Sequence, residues 1–370
     1  MSPSHLLAII IAAGLLLRCI WAITIPLVPV SDSFAYDSFA RTLVSHGVYG
    51  WSAEEPSAYW PVGTAAIVAA TYWCFGDTYA GVVALNLVAS VMTMYFVFRL
   101  GEAYFGAAAG LGASAIIAFW PNLIMFTTIL SSELYFIALP VMGLYFWERS
   151  VGGACWAAAC YIRPVILLLP FALILAGVPN GWRAIVTLGV KATTITLIVV
   201  LIVSPWTYRN YLLLGEPVLV STNFGPNLWM GNNAESTGGY MELPADVDGI
   251  SETERARVLG DRAKQYILNN RYEFMKRAVV KAVKLHDRET IVVFWNEISI
   301  SANFGSGGVT VLKILSTGYW YFVLFAALCG LVLLYQRGGV GKLLQPPLIA
   351  WAYFTLLHAV IVVEDRYHMP

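Results

Sequence analysis

Charged residues are scarce in this chain of 370 amino acids. They make up 12% of it, with 22 basic and 22 acidic residues and a formal net charge of +0. A soluble domain carries roughly a quarter charged residues, and without a basic excess a nucleic-acid partner is not expected. The five cysteines lie in or beside apolar runs, with no CxxC pair and no Cys/His ligand spacing. Neither a zinc site nor a disulfide framework is indicated.

Hydrophobic residues fill the chain instead, at 59%, and the mean hydropathy is +0.69. A bilayer span needs about 20 mostly apolar residues, and several runs qualify. The first run continues from residue 6 to 30 without a charged start, which is not the pattern of a cleavable signal peptide. Candidate spans lie near 5–28, 79–99, 106–120, 123–147, 151–162, 164–178, 184–206, 311–335 and 343–363. Arg163-Pro164 is expected to divide the 151–178 stretch into two short helices.

The positive charges of the loops orient these spans, because cytoplasmic loops carry the excess of Lys and Arg. Arg337 and Lys342 flank the last short loop and place it in the cytoplasm. Counting back from there puts Glu148-Arg149 inside and segment 207–310 outside.

Whether segment 61–75 crosses the membrane determines on which side the first loop lies. It is about 15 residues long, which is short for a span, so we interpret it as a re-entrant or interfacial helix. The N-terminus is then cytoplasmic, and loop 29–60 shares the outer side with 207–310. The chain divides into a transmembrane region at 1–206, this outer segment, and C-terminal transmembrane helices at 311–370. Two outer segments on one side suit an enzyme working at the membrane surface.

A short helix is predicted in the first outer loop. Ser31 or Asp32 can cap its start, and Gly47 follows its end. Asp32 lies where the helix dipole favours an ionised carboxylate, which suits a general base, although a helix cap explains the same residue equally well. Tyr36 shares its face one turn on, whereas Asp37 points elsewhere.

Ionisable residues in and beside the spans are the next signal. Arg18 and Glu133 lie deep in predicted spans, and such groups usually face the interior and pair. We therefore predict that they face one another or line one cavity, mainly as a structural contact. Arg163, Arg209 and Arg366 fall at outer boundaries, where a guanidinium can grip a phosphate with two hydrogen bonds. One such arginine is usually a headgroup anchor, but three indicate a site for an anionic lipid substrate.

The outer segment contributes two patterns. Residues 221–233 form a Gly/Asn-rich loop whose amides could hydrogen-bond a sugar, although turn formation explains this composition equally well. Between 251 and 287 the pattern becomes helical and charged, which predicts contact with a phosphate-rich membrane surface, or with the phosphate of a substrate. Its basic face carries Arg277, Lys281 and Lys284.

Several short stretches recur in an order typical of a known family. They are Arg18, Asp32, Tyr36, Phe39-Ala40, Leu43, Tyr59-Trp60-Pro61, Arg163-Pro164, Arg209-Asn210-Tyr211, Ser221-Thr222-Asn223, Gly231-Asn232-Asn233 and Arg366-Tyr367. Each is loose alone, but together they cover most of the chain. In this order the chain resembles the polytopic C-superfamily (GT-C) glycosyltransferases, and looks most similar to bacterial relatives of protein O-mannosyltransferases and aminoarabinose transferases.

The resemblance implies an all-α, GT-C-like bundle in a bacterial inner membrane, with interfacial helices in the first outer loop and a mixed, mainly helical outer segment. It implies sugar transfer from a polyprenyl-phosphate donor to a lipid, glycan or protein acceptor on the outer face, in envelope polysaccharide assembly. Transfer would be inverting, with Asp32 as general base and nearby cations stabilising the departing phosphate. Neither a cofactor nor a metal is expected. Substrate contacts are expected from Tyr36, Asp37, Tyr59, Glu133, Arg163, Arg209, Asn232, Arg366 and Tyr367.

Two features depart from the family pattern. Some relatives place a lysine in the first loop near the donor phosphate, whereas this loop offers Glu54 and Glu55, so the phosphate contact falls to the arginines. The chain stops at Pro370, where relatives continue into at least one more apolar helix, which leaves open a short member or a longer protein. The alternative function is a non-enzymatic transporter, flippase or assembly scaffold. A transporter would show broken helices in paired halves, and the sequence has no internal repeat.

Overall fold

The computed structural model describes residues 1–147 and 150–368, and across these ranges the regular structure is helical. The predicted cytoplasmic turn at Glu148-Arg149 lies outside the described residues. In chain order the α-helices are α1 (Pro3–Thr24), α2 (Asp32–His46), α3 (Val62–Phe75), α4 (Ala80–Phe105), α5 (Ala107–Phe119), α6 (Pro121–Met125), α7 (Glu133–Tyr145), α8 (Ser150–Ile162), α9 (Leu169–Ala172), α10 (Trp182–Leu214), α11 (Phe224–Gly231), α12 (Glu252–Asn269), α13 (Arg271–Lys284), α14 (Ile291–Trp295), α15 (Glu297–Leu343) and α16 (Pro346–Val360). The chain is an all-α polytopic membrane protein, as its composition predicts.

Four helices of the described residues are long and apolar enough to cross a membrane, namely α1, α4, α10 and α15. Helices α5 and α6 together would make a fifth span, bent by 55°. Helix α15 has non-helical backbone at Gly305, Gly338 and Gly339, so the predicted span at 311–335 lies in its uninterrupted part. Helix α3 has 14 residues, and its assignment as a re-entrant or interfacial helix stays a prediction. The side on which each loop lies stays a prediction.

The predicted span at 123–147 is wrong, because the chain is not helical throughout it. A 3-10 turn at Phe126–Thr128 follows α6, and the next helix begins only at Glu133. The buried amide of Asn86, on α4, donates to the carbonyls of Thr127 and Ile129, each at 3.1 Å. A buried side chain thus takes up carbonyls that a continuous helix would have paired with its own N–H groups.

The predicted break at Arg163-Pro164 is confirmed, since α8 ends at Ile162. The second half of that stretch forms mostly 3-10 turns, at Pro164–Leu168 and Leu173–Asn180, because its prolines each remove a helical donor. Helix α10 differs from the predicted span at 184–206 in the position of its C-terminal end. It continues to Leu214, beyond the predicted boundary at 206.

The prediction that Arg18 faces Glu133 is wrong, and Glu133 is not among the described residues that line the small cavity beside Arg18. Its Nη1 donates to the carbonyls of Gly14 at 3.0 Å and Ala118 at 2.9 Å, and its Nη2 to the carbonyl of Ile117 at 3.0 Å. Pro121 follows four residues after Ile117 and has no N–H, so this carbonyl lacks its helical partner. Arg18 is fully buried and satisfies the carbonyls freed where α5 bends into α6.

Helix α2, which lies in the predicted first outer loop, packs against α3. Gly47 ends α2 in the left-handed conformation, with a φ of 68°, which glycine adopts without strain. Ser31 is the N-cap residue, but its side chain makes no capping hydrogen bond. Phe39 is fully buried and meets the rings of Tyr49 and Trp51, each at 4.8 Å between centroids. This aromatic cluster fixes the loop against α3.

The outer segment is helical where the sequence predicts charged helices, at α12 and α13. The prediction of a loop over 221–233 is wrong in its middle, because Phe224–Gly231 forms α11. A side chain at Gly225 would lie 1.9 Å from the Ala256 carbonyl oxygen, so glycine here permits α11 to pack directly on α12. Turn formation therefore explains only part of this composition.

Candidate active site

The C-terminal segment, residues 361–368, folds back from α16 across the outer segment and the first loop. The Val363 N–H donates to the Gly238 carbonyl at 2.9 Å. The carboxylate of Asp365 accepts from Thr290 N–H at 2.7 Å and from Ile291 N–H at 3.1 Å, so it caps the start of α14. These contacts fix the stretch of chain that leads into Arg366.

Four charged side chains of alternating sign lie in a chain at this place. Arg366 Nη2 donates to Asp32 at 2.7 Å, and its Nη1 donates to Glu133 at 3.2 Å. Glu133 also forms an ion pair with Arg163, whose Nε donates to the Ser132 hydroxyl at 2.9 Å. The Glu133 side chain is 2% exposed and that of Asp32 is 27% exposed. Asp32 is therefore the member of the chain most open to solvent.

Local structure explains how these residues meet. Arg163 has extended backbone, with a φ of −147°, as expected for a residue before proline. Glu133 is the first residue of α7 and Asp32 the first of α2, where helix dipoles favour carboxylates. Two helix N-termini thus supply the acids, and a helix break and the C-terminal segment supply the arginines.

Aromatic rings hold the two guanidinium groups in place. Arg366 lies 4.5 Å from the centre of the Trp295 ring and 5.2 Å from that of Tyr367. Arg163 lies 5.4 Å from the centre of the same Tyr367 ring, and this ring stacks on His358 with 4.5 Å between the ring centres. Because Nε of Arg366 is buried without a partner among the described residues, this arginine retains a donor that the protein does not use.

Tyr36 lies one turn after Asp32 on α2, and the charge of Asp32 reaches the phenols of both Tyr36 and Tyr59. Burial raises the pKa of the Tyr36 hydroxyl above its ordinary value, and the charge of Asp32 adds to the rise. Burial likewise raises the pKa of Tyr59 to about 12, again with a contribution from Asp32. Both phenols therefore stay protonated near neutral pH and can donate a hydrogen bond to a ligand.

Three residues predicted to contact substrate lie elsewhere and have structural partners. Asp37 accepts from Arg41 at 3.0 Å and from the Tyr79 hydroxyl at 3.2 Å, and also from Tyr72. This network joins α2 to α3 and α4. These contacts favour a structural role for Asp37 over the predicted contact with substrate.

Arg209 and Asn232 are the other two. Arg209 donates to the carbonyls of Ser57 and Tyr49, each at 2.9 Å, so it holds the loop that carries Tyr59 rather than lying in the charge chain. Asn232 is fully buried and donates to the Val360 carbonyl at 2.8 Å. It anchors the end of α16, from which the C-terminal segment departs.

The basic face of α13 binds protein carbonyls rather than a membrane surface. Lys281 is fully buried, and its Nζ lies 2.9 Å from the Val360 carbonyl and 3.0 Å from that of Ile361. Arg277 donates to the Asn233 carbonyl at 2.6 Å, and Lys284 to that of Thr237 at 2.7 Å. The three do share a face, but it contacts the segment that follows α11 and the C-terminal end of α16.

A buried pair at the end of the C-terminal segment escaped sequence reasoning. His368 Nδ1 lies 2.7 Å from the Leu285 carbonyl and its Nε2 lies 2.8 Å from Glu289. Burial lowers the pKa of His368 to about 4 and raises that of Glu289 well above its ordinary value. With Nδ1 donating to the carbonyl, a neutral ring accepts at Nε2 from a protonated Glu289. The pair is neutral and ties residue 368 to the core.

Sequence reasoning also missed Asp365, which caps the start of α14, and Trp295, whose ring lies under Arg366. The signal was present in the acidic and basic run at 364–366 directly after an apolar helix, which would have marked Glu364 and Asp365 together with Arg366. Nothing local distinguishes Trp295 from the many other aromatic residues. Among the described residues, no three His, Cys, Asp or Glu side chains converge as metal ligands would.

The fold and this cluster define an all-α polytopic membrane protein with paired acids and arginines where its first loop meets its C-terminal segment. No family model matches the chain, and no curated protein sequence matches it either. Among solved structures it is similar to the oligosaccharyltransferase of Archaeoglobus fulgidus, crystallised with zinc and sulfate, at 11% identity and a TM-score of 0.44. The alignment covers 97% of this chain and 53% of the archaeal protein, so the chain spans about half of its length. A likeness at this level assigns no substrate and no residue roles, and the resemblance to protein O-mannosyltransferases and aminoarabinose transferases stays a prediction.

Proposed function

We propose that this protein is a membrane glycosyltransferase that moves a sugar from a polyprenyl-phosphate donor to an acceptor on the outer face of the membrane. The observation that carries the proposal is the contact between Asp32 and Arg366, with Glu133 and Arg163 behind it. A carboxylate suited to accept a proton lies directly beside cations suited to hold a phosphate.

In the proposed step, an acceptor hydroxyl oxygen attacks the anomeric carbon while the bond from that carbon to the phosphate oxygen breaks. The hydroxyl proton passes to Asp32, and polyprenyl phosphate leaves with one more negative charge than it had in the donor. Single displacement inverts the configuration at the anomeric carbon.

The ion pair between Asp32 and Arg366 fits this change of charge. Before reaction the carboxylate is negative and attracts Arg366. As Asp32 takes up the proton it becomes neutral, while the phosphate becomes more negative, so the attraction for Arg366 moves from one group to the other. Groups held ready where charge develops are the usual source of electrostatic catalysis, and the rings under both arginines hold them ready.

A reconstituted transfer assay with a panel of polyprenyl-phosphate sugars tests the proposal. Wild-type protein is expected to release polyprenyl phosphate and form a glycosylated acceptor, and Asp32→Asn is expected to lose this activity while remaining folded in the membrane. Unchanged transfer by Asp32→Asn would remove Asp32 as the base. A protein that moves an intact lipid-linked sugar across the bilayer without cleaving it would instead be a flippase.

A further inference from the structure

Helix α13 carries a row of apolar side chains that point away from the rest of the described chain. Tyr272, Met275, Val279 and Val283 stand at positions i, i+3, i+7 and i+11 of the helix, so they share one face. We call this row the apolar stripe, and its members are between 61% and 78% exposed. Single exposed apolar side chains are ordinary on a protein surface, whereas a contiguous patch marks a surface that binds a partner or a membrane.

The two faces of α13 are the reverse of those of a helix in water. Its basic face lies on backbone carbonyls, and Lys281 on that face is fully buried. The apolar stripe lies on the opposite side, with Glu273 and Lys276 exposed along one edge of it. Burying a charged lysine is costly, and leaving apolar side chains in water forgoes their burial. This orientation is therefore favourable only where the outward face meets an apolar environment.

Contacts at the C-terminal end of α13 place this end at the level of the membrane. Lys281 Nζ lies 2.9 Å from the carbonyl oxygen of Val360, the last residue of α16. Just after α13, the Asp287 carbonyl accepts a hydrogen bond from the Tyr321 hydroxyl at 2.5 Å. Tyr321 belongs to α15, which is long and apolar enough to cross a membrane, and it lies in the outer half of the predicted span 311–335. Tyrosine is enriched where spans meet the membrane surface.

The two helices that hold this end of α13 expose apolar side chains themselves. On α15, Phe322 and Phe325 follow Tyr321 and are exposed. On α16, Leu356 lies one turn before Val360, and both are exposed. Side chains of this kind face lipid on a membrane-spanning helix, so α13 is joined at its end to a surface that lipid covers.

We propose that α13 lies in the interfacial region of the bilayer, with the apolar stripe among the acyl chains of the outer leaflet. Interfacial helices bury their apolar face roughly 5–10 Å into the boundary between headgroups and acyl chains. Lys276 and Glu273, at the edge of the stripe, then reach the headgroups, since a long charged side chain can extend to water while its stem lies on apolar surface. The helix thereby holds the end of α16, and with it the C-terminal segment that carries Arg366, at the level of the headgroups.

A photo-reactive side chain on the apolar stripe tests this contact with lipid. p-Benzoylphenylalanine replaces Met275 in one variant and Val279 in another, and the intact mass is measured after irradiation in nanodiscs of phosphatidylethanolamine and phosphatidylglycerol. Both variants are expected to gain the mass of one phospholipid and, because both positions are exposed, to keep the wild-type melting temperature. The same replacement at Arg257, an exposed residue of α12, is the matched control and is expected to gain no lipid.

Three results would overturn the proposal. A covalent dimer formed from the Met275 or Val279 position would show that a second copy of the chain covers the stripe. Irradiation that leaves both variants without a lipid adduct would show that the stripe does not contact lipid, and an equal lipid adduct at Arg257 would show that the contact is not specific to this face. The measurement needs no catalysis, so protein that gains lipid but transfers no sugar would contradict the proposed function alone.

Discussion

Arg366 and Asp32 are 334 positions apart in the sequence, yet Arg366 Nη2 lies 2.7 Å from Asp32 Oδ2. This contact joins the first outer loop to the last described turn of the chain. It also means that the arginine is already occupied by a carboxylate, so a donor phosphate must compete with Asp32 for it. This competition predicts measurable effects of mutations at the contact.

Replacing Asp32 with Asn should separate catalysis from binding. Loss of a general base lowers the rate by about 10²- to 10⁴-fold, so we expect kcat to fall within that range. The dissociation constant of polyprenyl-phosphate sugar should stay the same or decrease, because the amide no longer competes as an anion for Arg366. Titration of donor into purified protein measures it, with Asp248→Asn, an exposed acid, as control. Weaker donor binding by Asp32→Asn would contradict the competition.

Glu133 should be essential for the charge balance of the cluster. Its side chain is 2% exposed and contacts both Arg163 and Arg366. Removing one partner of a buried ion pair costs roughly 3–5 kcal/mol, so we expect Glu133→Gln to lower the melting temperature markedly. A phosphate supplies negative charge at the same place, so polyprenyl phosphate should stabilise Glu133→Gln more than wild type. Thermal unfolding with and without this lipid tests the expectation, and equal shifts would refute it.

Residues whose role follows from local sequence were predicted best. The start of α2 at Asp32, its end at Gly47 and the break before Pro164 each follow from caps and prolines, and the structure has all three. The placement of Asp32, Arg163 and Arg366 near one another followed from their common position at span boundaries. A position at a span boundary predicts the depth of a residue in the membrane but not its position in the membrane plane. The same reasoning therefore also placed Arg209 at this site, although Arg209 lies apart from it.

Contacts between residues far apart in the sequence could not be predicted, because depth in the membrane does not determine which helices are neighbours. Arg18 and Glu133 were expected to pair because both charges lie deep in the membrane. The structure satisfies Arg18 with backbone carbonyls freed by the bend before Pro121, and Glu133 with arginines from two other parts of the chain. Which of several buried acceptors a charge uses depends on packing between helices, and a single sequence records only the helices themselves.

Asp37 should matter for stability and not for chemistry. Its carboxylate accepts from Arg41, Tyr72 and Tyr79, and a buried group left unpaired costs about 1–3 kcal/mol. We therefore expect Asp37→Ala to lower the free energy of unfolding by that amount while kcat, corrected for folded protein, stays close to wild type. The contrast with Asp32→Asn, which should lose rate and keep stability, makes each variant a control for the other.

Replacing Glu289 of the neutral Glu289–His368 pair with glutamine should leave the stability of the protein nearly unchanged. The amide introduced by Glu289→Gln can still donate to His368 Nε2 and accept from Trp120 Nε1, which lies 2.8 Å from the carboxyl. Glu289→Gln is therefore expected to unfold at nearly the wild-type temperature. Glu289→Ala leaves two buried groups unpaired, at about 1–3 kcal/mol each, and should loosen the segment that carries Arg366. A large loss of stability in Glu289→Gln would instead indicate an ionised Glu289.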